Sequence, residues 1–219
     1  RLDVSFKPVE FPAVALTPYP SDWATDVVAF LHNALRREMA DLYALLHAMQ
    51  VKHAALTLGH VADFFTWWAP FHRFFLAALA AEAAEVYPPL AERAAITHHK
   101  VRESSRVLVR ERLTRALAAV AAYAGHFHPA KPPGELLPGL LQRVDELSFV
   151  HAYWAAAEAA VPPLLAAHFR KRDKARWERR IAAAVRRAAA AGAADAEAAG
   201  APPLPPAADA VAAEAALYV

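Results

Sequence analysis

Apolar residues recur three and four positions apart through most of the chain. Val27, Phe30, Leu31, Ala34, Leu35, Leu42, Leu45 and Leu46 mark one helical face. Ser21 or Asp22 can cap the first turn, and Asp26 suits its positive end. The spacing predicts a helix over about 22–50. A second is expected at about 54–86, with Pro70 as a kink or restart and an end at Pro88-Pro89. A third covers about 91–124 and stops near Gly125, and the proline-rich stretch 126–138 reads as a loop. A fourth runs over about 139–160 until Pro162-Pro163 break it, and a further helix spans about 172–190.

The ends of the chain read differently. Pro8, Pro12, Pro18 and Pro20 fix the backbone and remove donors, so residues 1–20 are expected as an extended arm laid over the body. Residues 21–170 form the helical domain, 171–190 a basic helix, and 191–219 an Ala/Pro-rich tail. The tail has too little apolar variety for a core of its own. Its Leu204, Val211, Leu217 and Val219 suit docking on a partner or back along the bundle. Four amphipathic helices with short connections imply an all-α protein, an antiparallel four-helix bundle.

Composition agrees. Of the 219 residues 57% are hydrophobic, and with only 6 glycines there is little room for tight hairpins. The absence of cysteine excludes a disulfide scaffold, thiolate metal sites and a cysteine nucleophile. The apolar run from Phe74 stops after eight residues at Glu82, short of the roughly 20 needed for a membrane span. With no signal-peptide pattern at the start, the reading is an intracellular, soluble protein. An alanine-rich, cysteine-free chain opening on Arg1 is also compatible with an organellar product.

Net charge is +2, unevenly spread. Residues 170–187 hold nine Lys or Arg against Asp173 and Glu178, whereas residues 188–219 hold four acids and no base. The rest is nearly neutral, which argues against a nucleic-acid reader. The aromatic run Phe64, Phe65, Trp67, Trp68, Phe71, Phe74 and Phe75 exceeds what one helical stripe buries. Exposure toward a protein partner and packing beneath the N-terminal arm are equally good expectations for it.

Eleven histidines supply the candidate chemistry, with His32, His72, His98-His99 and His151 distributed over the four predicted helices. The segments His32–Met39, Glu82–Leu90, Ile96–His99 and His151–Phe169 occur in an order and spacing that resembles the hemerythrin-like, HHE cation-binding family. The resemblance covers about 22–180. It implies a four-helix bundle around a non-haem di-iron centre of five histidines and two bridging carboxylates. Imidazole suits such metals.

The pattern departs from the family at two places. Four residues before Glu82 stands Ala78, beside Leu79, and four after His151 stands Ala155. Glu158, seven residues past His151, is about 10 Å further along a helix. His72 lies about 15 Å from Glu82 on the same measure. The retained candidates are therefore His32, Glu82, His99 and His151.

Two functions follow. In the first, the metal site is degraded, no cofactor is bound, and the bundle serves as a structural or interaction subunit of a larger assembly. In the second, the four residues hold one non-haem iron or zinc for sensing, storage or oxygen binding. Neither an open coordination position nor a proton-delivering group is specified, so catalysis is not expected. The scattered glycines form no phosphate loop, and no small-molecule substrate is evident.

Overall fold

The computed structural model describes residues 8–198, and among them every regular element is helical. Helix α1, Trp23–Val51, begins where Asp22 Oδ1 accepts the N–H groups of Ala24 at 3.0 Å and Thr25 at 3.1 Å. That carboxylate satisfies donors which a helix start leaves free. A short turn leads to α2, Leu58–Ala81, capped by Thr57. Its backbone continues through a π-helical turn, Glu82–Val86, into α3, Tyr87–Ala91. Then follow α4, Glu103–Tyr123, α5, Pro133–Asp145, α6, Phe149–His168, and α7, Lys174–Ala198.

Several expected boundaries move. Pro88-Pro89 do not end the second helix but sit in the first turn of α3. Their missing N–H groups leave the carbonyls of Ala84 and Glu85 without helical donors, and both lie in the π-helical turn. The third helix begins at Glu103 and not near 91. Residues 92–102 turn instead, with Val101 anchored in the core and the His98 carbonyl accepting the Val101 and Arg102 N–H groups. The expected fourth helix is two, α5 and α6. Pro133 lies within the proline-rich stretch but opens α5, a position where no N–H is needed.

Pro162-Pro163 lie inside α6 without breaking it. Burial of Val161, Pro162 and Leu165 offsets the two lost backbone bonds.

The pairings run in opposite chain directions. Glu158 meets residue 32 and His151 meets residue 43, so α6 is antiparallel to α1. Arg180 meets Glu85 while Gly192 approaches Arg73, so α7 is antiparallel to α2. Far from being an appendage, the basic helix packs along α2 and α1 and extends beyond 190 to Ala198. Trp177, Ile181, Ala184 and Val185 face the core while Arg179, Arg186 and Arg187 stay outside. The architecture is thus a helical bundle with α7 as an integral member.

The aromatic surplus is absorbed by this arrangement. Phe64, Trp68, Phe71 and Phe75 are buried in a ladder with ring centroids 5.0–6.1 Å apart, and Phe75 reaches Trp154 of α6 at 6.0 Å. Phe74 is also buried, and only Phe65 and Trp67 remain half-buried. Exposure of this cluster is therefore not what the fold shows. The continuous helical stretch Leu58–Ala91 is long and apolar enough, by length and composition, to cross a membrane, with 56% of its most apolar window buried. The expectation that no segment reaches that threshold is corrected to this extent, while its apolar side chains serve as core.

Residues 8–20 lie along α1. Val9 N–H donates to Gln50 Oε1 at 2.7 Å, Phe11 stacks on Tyr43 at 4.7 Å, and Thr17 exchanges two bonds with Asn33. Residues 1–7 and 199–219, including the expected tail beyond Ala198, lie outside the described residues.

Candidate functional site

Where α1, α6 and the π-helical turn meet, seven polar side chains form one network inside the bundle. His32 is the hinge. Its Nδ1 lies 2.8 Å from Glu158 Oε1 of α6, and its Nε2 lies 3.3 Å from Glu82 Oε1. Arg36, one turn along α1, grips both oxygens of Glu158, at 2.6 Å from Nη1 and 3.0 Å from Nη2. Thr17 of the arm closes the outer side, donating from Oγ1 to Glu158 Oε2 at 2.6 Å.

The other end is phenolic. Tyr87 Oη donates to Glu82 Oε1 at 2.9 Å, Tyr153 Oη donates to it at 3.2 Å, and the two hydroxyls are 2.9 Å apart. The π-helical turn makes this possible. Residues five apart on an α-helix point about 140° away from each other. A π turn closes on the fifth residue, which places Tyr87 beside Glu82.

Burial decides the electrostatics, since His32 is 1% and Glu82 6% exposed. Burial opposes a charged imidazole, but the bonds to Glu158 and Glu82 outweigh it and raise the His32 pKa above its ordinary value. Burial likewise opposes the Glu158 carboxylate, yet hydrogen bonds from His32 and Arg36 hold its pKa down to about 2. Burial first, and the Glu82 charge second, push the Tyr87 and Tyr153 phenols well above theirs. The consistent state is an imidazolium donating from both nitrogens, with both phenols protonated. A buried ionic network is tolerable only when its members satisfy one another.

The four sequence candidates separate. His32 and Glu82 come together. His151 sits further along α6, its Nε2 at 3.2 Å from Tyr43 Oη, and burial followed by the Arg36 charge lowers its pKa. His99 lies exposed on the connector 92–102, its ring 4.8 Å from that of His98. His72 is half-buried on α2 and leaves Nε2 without a partner among the described residues. Glu158, Arg36, Thr17, Tyr87 and Tyr153 were missed. Glu158 stands one heptad after His151, hence on nearly the same helical face, a spacing that measures distance to His151 but not to α1.

A di-iron centre of five imidazoles does not fit this interior, where His32 is the one imidazole on the carboxylates and both its nitrogens are engaged. Among the described residues no group of three or more His, Cys, Asp or Glu converges on a common ion position. A smaller set does surround Glu82 Oε1, namely His32 Nε2 and the two phenols. Comparison with protein-family models, curated proteins and solved structures returned no match for this chain.

Proposed function

We propose that the chain is a hemerythrin-like helical bundle whose metal centre has given way to a proton-satisfied ion network, and that it acts as a structural or interaction subunit without catalysis. The observation that carries this reading is the double engagement of His32. An imidazole held between two carboxylates has both nitrogens engaged, and the same carboxylates raise its pKa.

The surface supports the interaction role. All buried residues of α4 come from its second half, Leu113 onward, while its first half meets the core edge through Val109 and through Arg106 over the Tyr87 ring. There Val107 and Leu108 sit side by side, Leu108 65% exposed. Two measurements test the proposal. Metal analysis of the purified chain should find no stoichiometric iron, and native extracts should carry the chain in a species larger than its monomer. Two iron atoms per chain, or migration as a monomer, would overturn it.

A second reading is favoured by one feature, the ring of donors around Glu82. Here His32 Nε2 and Glu82 would hold one zinc or iron, and Glu158 would orient the imidazole through Nδ1, as carboxylates behind ligating histidines do. Zinc would then raise the melting temperature of the wild-type chain but not of Glu82→Gln, because an ion bound only by the folded state stabilises it. No response of the wild type ends this reading.

A further inference from the structure

Next to the π-helical turn that carries Glu82, where Arg180 reaches Glu85, the chain folds a basic pocket of about 260 Å³. Its walls come from three places: Arg93 just after α3, Arg170 and Arg172 in the turn between α6 and α7, and Arg176 and Arg180 on the first turns of α7. Phe169 and Trp177 line it as well, their rings 5.2 Å apart and edge to face, with Trp177 buried. Five guanidiniums thus face one lining carboxylate, Asp173, whose Oδ2 already accepts the Arg170 N–H at 3.0 Å.

Not all five are equally engaged. Arg93 Nη1 donates to the His168 carbonyl at 3.1 Å, and its guanidinium lies 4.5 Å from the Phe169 ring centroid. Arg180 donates to Glu85 at 2.8 Å. Arg172 and Arg176 have no acidic partner among the described residues. Concentrating like charge in a concavity floored by aromatic rings raises the local potential.

We propose that this pocket binds a compact, multiply charged phosphate-bearing anion, with Arg172 and Arg176 as its principal contacts. Guanidinium forks match phosphate oxygens in pairs. A volume just under the ~300–1,000 Å³ of common small-molecule sites suits a small phosphate-bearing group. The same chemistry is offered by free phosphates and by phosphorylated lipid headgroups.

The test titrates the full chain with sodium pyrophosphate at low ionic strength and, separately, sediments it with phosphatidylcholine vesicles with and without phosphoinositide. Pyrophosphate should bind at one site per chain, and the double variant Arg172→Ala/Arg176→Ala should bind it about tenfold more weakly or worse. Arg179→Ala, a neighbouring exposed arginine outside the pocket, should bind like wild type. Binding to pyrophosphate but not to vesicles identifies a free anion as the ligand. Phosphoinositide-dependent sedimentation that pyrophosphate reverses identifies the headgroup. Absence of binding to both, an undiminished double variant, or an equal loss in Arg179→Ala overturns the proposal. Arg176→Gln supplies the same comparison should the double variant lose its melting transition.

Discussion

The bundle carries two clusters of charge built on opposite terms. Around His32, two carboxylates, an imidazolium and a guanidinium are held out of water, and each charge touches one of opposite sign. Around Arg172 and Arg176, cations crowd together at the surface with one lining carboxylate among the described residues. An interior cannot tolerate the second arrangement, because an unpaired buried ion costs several kcal/mol. A surface can, because water screens it. The interior cluster therefore tells how the helices are held in register, and the surface cluster tells what the protein is ready to meet.

Removing the interior hinge should produce the largest effect. His32→Leu leaves Glu82 without its cationic partner and Glu158 dependent on Arg36, and should cost about 3–5 kcal/mol in urea unfolding. A loss under about 1 kcal/mol would mean that the network contributes packing only.

Acid should come next. The Glu158 carboxyl has a lowered folded pKa, so its contribution is complete above the ordinary 4.5 and disappears as pH falls through about 2. The full loss is on the order of 3 kcal/mol. His32 works in the opposite sense. Its folded pKa is raised, so its contribution is complete below the ordinary 6.5 and is lost as pH rises through the folded value. Unfolding midpoints followed against pH should fall on both sides in the wild type. In Glu158→Gln the acid limb should flatten, and an unchanged limb would assign it elsewhere.

Smaller effects grade the periphery. Lys174 Nζ pairs with the buried Asp26 Oδ2 at 2.7 Å, fastening the start of α7 to the start of α1. Lys174→Met should cost about 1–3 kcal/mol, as expected for a buried carboxylate losing its donor. Tyr153→Phe removes one of two phenolic donors to Glu82, and about 1 kcal/mol is expected from thermal unfolding. At the bottom of the scale, Arg172→Ala should leave stability within about 0.5 kcal/mol of wild type. A large loss there would make the two clusters alike and erase the contrast.

Helix positions were readable where one face repeats for many turns. Helix α1 was placed within a residue or so. The reading failed where local signals were strong but tertiary burial was stronger. Two prolines inside α6 are an instance, and so are two in the first turn of α3. It also failed where apolar spacing was weak, as in residues 92–102, and His99 went with that error to the surface.

At the candidate site, His32 and Glu82 were legible from their segments and Glu158 was not. Spacing along one helix measures separation within that helix only, and Glu158 finds its partners across the bundle, on α1.

By itself, then, the sequence determined the helical class, the face that most long helices bury, and the stock of charge available to the interior and the rim. These follow from periodicity, propensity and composition, all local properties of the chain. Tertiary structure decided which helix covers the aromatic ladder, which acids flank His32, and which arginines have no acidic partner among the described residues. Those outcomes depend on contacts between residues far apart in the chain, where packing and the cost of burying charge select one pairing among many.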